Sequence, residues 1–187
     1  MSRRLFTAKG YEETTMEDIA EAAEVSKATL YNYFSSKENL LLGIAEAALD
    51  EVRQLISEDL RDEPDSLEKL RRVMETLVTD SIRYLTLSRR ILYSNLSPDS
   101  ELHVTRQELV EILGQLVREA QGQGRLRRDL SPEALTEGFL GAYLLTQFGW
   151  ENLEHYTPEQ CQRRVQDMID QLLAGVAENG RRNDAGN

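Results

Sequence analysis

The sequence predicts an all-α chain: a small N-terminal three-helix unit containing a helix-turn-helix, followed by a larger helical body. Three observations predict it. Apolar residues recur at three- and four-residue spacing along most of the chain, with no stretch of period-two alternation. Hydroxyl residues stand before acidic residues or prolines at several points, as helix starts require. Finally, 29% of the 187 residues are charged, only 6% are aromatic and four are proline, a composition that suits soluble helices.

The elements follow in order. A short helix precedes Gly10-Tyr11. Thr15 stands three residues before Asp18, a hydroxyl-carboxylate pair that caps the first free N–H groups of a second helix. Ile19, Ala20 and Ala23 then share one face, and the alanines allow a neighbouring helix to come close. Ser26 starts the third helix, which runs without glycine or proline to Phe34. Leu30 and Phe34, four apart, anchor it inward, leaving Lys27, Ala28, Thr29, Tyr31 and Tyr33 outward. A helix of about two turns fits a DNA major groove.

Ser35 or Ser36 with Glu38 caps a long helix from about Lys37 to Leu60. Asp62-Glu63-Pro64-Asp65 breaks it, and a helix from Ser66 carries Leu67, Leu70, Val73, Met74, Leu77, Val78, Ile82 and Leu85. Ser97-Pro98 opens another that runs to Gly122, and Ser131-Pro132 and Thr157-Pro158 open the last two. Residues 179–187 read as a frayed tail.

Leu5-Phe6, Gly10-Tyr11, Thr14-Thr15-Met16, Asp18-Ile19-Ala20, Ala23, Val25-Ser26-Lys27, Thr29-Leu30-Tyr31, Tyr33-Phe34 and Ser36-Lys37-Glu38 form a long ungapped pattern. It resembles the N-terminal signature of TetR-type transcriptional regulators. The resemblance implies a DNA-binding domain at residues 1–45, a helical effector-binding and dimerisation domain at 46–178 and a flexible tail at 179–187. It also implies a homodimer that binds a palindromic double-stranded operator and is released by a small effector. Carried over residue by residue, it has Thr15, Lys37 and the hydroxyls of Tyr31 and Tyr33 on phosphates. Lys27, Ala28 and Thr29 lie nearest the base edges, with Ser26, at the start of their helix, also among the DNA-binding residues. The tyrosines have a second reading, as packing support within the head. The chain departs from the family at Glu24, where glycine is usual, and in the shortness of its first helix. A left-handed turn residue there costs a non-glycine side chain roughly 1–2 kcal/mol.

The net charge of −11 runs against nucleic acid at first sight. Residues 1–45 hold only −2 of it, from five basic and seven acidic side chains, and the remainder holds −9. Phosphate affinity depends on local lysines and arginines, so such a head still binds DNA, weakly off-target.

The helix after Ser131 is apolar nearly all round, through Leu135, Phe139, Leu140, Tyr143, Leu144, Leu145, Phe148 and Trp150. Such a helix needs cover on every side, from a second subunit or from a central place in the core. The resemblance favours the subunit, with Leu140, Leu144, Phe148, Leu172 and Val176 at the interface. A mostly apolar pocket in the body would take the effector. Tyr84, Tyr93, His103, Tyr143 and Trp150 are the polar or aromatic candidates, each of which also reads as ordinary core or surface. The paucity of charge on the inward faces favours a hydrophobic or aromatic compound over a phosphate or a metal.

Other chemistry is excluded or unsupported. His103 and His155 have no metal-ligand spacing, and no phosphate-binding or nucleophile motif occurs, so neither a cofactor nor a catalytic site is expected. No apolar run approaches the ~18–20 residues of a membrane span. Residues 2–10 lack the apolar centre of a secretory leader. The single cysteine, Cys161, suits a reducing cytoplasm. A transcriptional regulator, most simply a repressor, leads; a helical small-molecule- or partner-binding protein with impaired DNA binding is the alternative.

Overall fold

The computed structural model describes residues 2–95, 102–148 and 157–177. Among these the chain is all-α: α1 (Ser2–Lys9), α2 (Met16–Ala22), α3 (Lys27–Tyr33), α4 (Lys37–Gln54), α5 (Ser66–Arg83), α6 (Leu85–Asn95), α7 (His103–Gly122), α8 (Pro132–Thr146) and α9 (Pro158–Val176). An isolated antiparallel bridge pairs Leu126 with Ala177.

The helix starts are made by the hydroxyls that announced them. Thr15 accepts the Asp18 N–H at 3.1 Å while Asp18 accepts the Thr15 N–H at 2.7 Å, a closed capping box. Ser26 accepts from Thr29 at 3.0 Å, Ser36 from Asn39 at 3.1 Å and Ser131 from Ala134 at 3.1 Å. Thr157 and Gln160 form a second capping box at the head of α9. Each satisfies donors that a helix leaves open in its first turn.

Two boundaries differ from the sequence reading, and a third falls outside the described residues. The helix from Lys37 does not stay α-helical to Leu60. It passes at Leu55–Asp59 into a π-helical turn, closed by the Leu60 N–H on the Leu55 carbonyl at 2.9 Å. The helix from Ser66 ends at Arg83, and Leu85 begins α6, with Tyr84 between them. Helix α7 is described from His103; Ser97-Pro98 lies outside the described residues, as do Trp150 and the 179–187 tail.

The chain divides into two compact units. One comprises Met1–Gln54 with Asp80–Leu109, the other Leu55–Thr79 with Val110–Asn187. In the first, α1, α2, α3 and α4 gather around Phe6, Ile19, Ala20, Leu30, Leu41 and Ile44, and α6 adds Leu87 to the same core. Arg3 on α1 reaches α4, donating to Glu51 at 3.1 Å and to the Ile44 carbonyl at 3.3 Å. The second unit buries Leu70, Val73, Met74, Leu113, Val117, Leu126, Phe139 and Ile169. Arg71 pairs there with Asp170, and Arg125 with Asp65 at 2.7 Å.

Candidate nucleic-acid interface

The turn between α2 and α3 is built by backbone. At the end of α2 the Val25 N–H reaches back to the Ala20 carbonyl and the Glu24 N–H to that of Glu21, both at 3.0 Å. This paired closure requires a left-handed residue at Glu24, whose φ is 56°. Gly10 meets the same requirement at the end of α1, with φ 90° and no side chain to strain. Thr14, fully buried, donates its hydroxyl to the Gly10 carbonyl at 2.6 Å and fixes the approach to α2.

The turn sets α3 with one side in the core. Leu30 is buried, and Phe34 packs partly buried against the same cluster. Ser26, Lys27, Ala28, Thr29, Tyr31 and Tyr33 are exposed, the tyrosines by 46% and 77%. A 77% exposed ring is no packing support, so Tyr33 is free for an outside partner. Ser26 Oγ also lies 2.8 Å from Thr29 Oγ1. Lys27 Nζ meets Glu17 Oε1 of α2 at 2.8 Å, and that lysine holds the Glu17 carboxyl below the usual carboxylate range. Thr15 is exposed beside them at the N-terminus of α2.

Lys37 sits differently. It is half-buried, donates to the carbonyls of Tyr11 and Glu12 at 3.0 and 3.2 Å, and lies 4.7 Å from the centre of the Tyr11 ring. Its ammonium therefore locks the loop between α1 and α2.

The sequence reading gave Tyr11 no role, yet it organises this corner. Its ring packs on Phe6 at 5.1 Å and is approached by the Arg90 guanidinium of α6, also at 4.7 Å. Its hydroxyl lies 3.2 Å from Glu38 Oε1. Burial pushes this hydroxyl's pKa up to about 12, aided by the Glu38 charge and opposed by Arg90. Arg90 also pairs with Glu12 at 3.4 Å. The Gly-Tyr pair was visible in the sequence, but its partner on α6 is nearly eighty positions away and carried no local signal.

The second unit holds the proposed interface residues. Helix α8 buries Leu135, Thr136, Phe139 and Thr146. Leu140 and Leu144 are half-buried, while Leu145 and Phe148 are 70% and 51% exposed. Among the described residues, nothing lies within 4 Å of where a Cβ on Gly138 or Gly141 would stand. On α9, Val165, Ile169 and Leu173 are buried, and Leu172 and Val176 are half-buried. Among the described residues, one side of α8 is thus uncovered.

The effector candidates are not gathered in one unit. Tyr84, half-buried under the Arg3 guanidinium at 5.9 Å, exposed Tyr93 and half-buried His103 belong to the first, and Tyr143 to the second. The His103 ring is engaged by Arg106 at 2.7 Å and Gln107 at 3.0 Å. Among the described residues no three His, Cys, Asp or Glu side chains could hold a metal, and no helix is long and apolar enough to cross a membrane.

Residues 2–44 match the model of bacterial regulatory proteins of the tetR family. Residues 46–178 match that of the C-terminal domain of TetR/AcrR family transcriptional repressors. The chain is 30% identical over 154 residues to the HTH-type transcriptional repressor DhaR of Mycobacterium sp. (strain GP1), covering 75% of this chain and 73% of that protein. Among solved structures it is similar to a TetR/AcrR-family regulator from Thermobifida fusca, with 28% identity, 96% and 93% coverage and a TM-score of 0.70. It is also similar to Thermus thermophilus FadR, a TetR-family repressor in complex with lauroyl-CoA, with 26% identity, 98% and 94% coverage and a TM-score of 0.64.

Proposed function

The chain belongs to the TetR family of bacterial transcriptional regulators, which are not enzymes, and we propose that it is a homodimeric repressor released from a palindromic operator by a small apolar or aromatic effector. The observation that carries the DNA reading is the exposed face of α3, with Lys27, Ala28 and Thr29 in its first turn and Leu30 anchored beneath. Residues 1–45 form the reading domain, 46–178 the sensing and dimerisation domain, and 179–187 a tail. The protein works in the cytoplasm, where its DNA is.

Thr15, Lys37 and the tyrosine hydroxyls contact phosphates, and Lys27, Ala28 and Thr29 face base edges, with Ser26 holding the start of the helix. Lys27→Ala then changes base preference, whereas Lys37→Ala weakens all sequences and flattens the salt slope by about one unit. Titration of the protein's own upstream DNA across a salt series tests this. Identical responses of the two variants to specific and random duplexes would sink the assignment.

The effector acts by favouring one of two head spacings, and a coupling of about 1–3 kcal/mol weakens operator binding roughly 5- to 150-fold. The lauroyl-CoA bound by the FadR neighbour supports a ligand with an apolar acyl part, although there that part is joined to a phosphate-bearing coenzyme A. Tyr84, Tyr93 and His103 in the first unit, Tyr143 in the second, and Trp150 outside the described residues are candidates taken singly, not a shared lining. Apolar compounds that neither raise the melting temperature nor change DNA affinity would leave a ligand-independent regulator.

One observation favours the alternative of a ligand- or partner-binding protein with impaired DNA binding. Of the five basic side chains in residues 1–45, Arg3, Lys9, Lys27 and Lys37 already have acceptors within the protein. Absence of binding to upstream DNA at low salt would establish that reading instead.

A further inference from the structure

The pairing of head cations has a use if the partner is DNA, and that use rests on the DNA-binding function proposed above. Lys27, in the first turn of α3, is placed to reach a base edge, and its ammonium is held 2.8 Å from Glu17 Oε1. Glu17 lies on the adjacent helix, in the first turn of α2. Both side chains are largely exposed, 62% for Lys27 and 48% for Glu17, so the pair is screened and exchangeable. It is not a support for the fold: the α2 cap is made by Thr15 and Asp18, and the α3 cap by Ser26.

We propose that Glu17 is a specificity-determining residue of the reading head, masking Lys27 until a base edge displaces it. On random sequence the lysine stays with its carboxylate, and the pair offers phosphates no net charge. Leaving Glu17 costs the same on every duplex. Only a sequence that presents a matched acceptor pair, such as the O6 and N7 of guanine, offsets that cost. The carboxylate thus suppresses non-specific binding, which is almost wholly electrostatic, more than it suppresses specific binding. Asp18 holds Lys9 at 2.6 Å in a similar way, but it is also part of the α2 cap, so Glu17 is the position where the masking is separable from folding.

The test compares the wild-type chain with Glu17→Gln, Lys27→Ala and the double variant. The probes are a duplex enriched from a random library by the wild-type protein and a shuffled duplex of the same length. Binding is followed by fluorescence anisotropy over a salt series, with melting curves to confirm folding. Glu17→Gln should tighten the shuffled duplex about fivefold at low salt, the strength of a charge pair ~4 Å apart in water. It should steepen that duplex's salt slope by about one unit, as one more lysine engages phosphate. The enriched duplex should gain less, so the ratio of the two affinities falls. With Lys27 already removed, Glu17→Gln should change neither affinity.

Equal tightening with and without Lys27 would show that Glu17 acts only as bulk negative charge and would overturn the proposal. So would an unchanged affinity ratio, or weaker binding by a folded Glu17→Gln chain. Failure of the underlying DNA-binding function looks different: no duplex is enriched, and neither wild type nor Glu17→Gln binds at low salt.

Discussion

Glu24 holds a backbone conformation that its side chain disfavours. With φ at 56° it closes the end of α2, a place where a residue without Cβ carries no steric cost. Glu24→Gly removes roughly 1–2 kcal/mol of left-handed strain but frees the unfolded chain by ~0.5–1 kcal/mol, for a net gain of about 1 kcal/mol. Urea unfolding measures it, and a variant no more stable than the parent would place the strain elsewhere. Tyr11 gives a pH prediction. Its hydroxyl keeps its proton up to about 12, against an ordinary value of 10.0. Between those values the folded chain binds more protons than the unfolded chain, so stability falls as pH rises from about 10 to about 12. Tyr11→Phe should remove that alkaline decline while losing the contact with Glu38; an identical alkaline limb in the variant would point to another group.

At the scale of the element, α2 depends on its cap. The Lys9 ammonium, with the Thr15 N–H and hydroxyl, holds the Asp18 carboxyl at about 2, below its ordinary 3.8. The contribution of Asp18 is therefore present above about pH 4 and lost as pH falls toward 2. Thr15→Ala should destabilise the head by about 1 kcal/mol, and Thr15→Ser by much less, in thermal or urea unfolding. Equal losses in the two variants would remove the cap from the account. These caps were legible because a hydroxyl and an acceptor three residues apart meet without help from the rest of the chain. The break at Tyr84 was not, since Arg83-Tyr84-Leu85 contains neither proline nor glycine and periodicity runs through it. The π-turn after α4 likewise has no breaker, since Leu55–Asp59 contains neither proline nor glycine. In the head, the exposed face of α3 followed from spacing around Leu30. The inward hold on Lys37 did not, because its acceptors are backbone carbonyls 25 and 26 positions away.

For the whole molecule the uncovered side of α8 decides the most. Leu144→Glu would bury a charge in the proposed two-fold interface and should yield monomers or aggregates on sedimentation. A wild-type chain that sediments as a folded monomer at micromolar concentration would overturn the dimer and the palindromic operator with it. Two heads related by a two-fold axis would address half-sites about one helical turn apart, ~34–36 Å, or a multiple of it. The space that the described residues leave open over Gly138 and Gly141, beside Leu145 and Phe148, also bears on thermodynamics. If a second copy fills it, unfolding becomes a reaction in which one particle yields two, and stability depends on how much protein is present. The melting temperature should then climb as the protein is concentrated and drop on dilution. Abundance in the cell would set how durable each molecule is, so dilution by growth and division would itself erode the regulator.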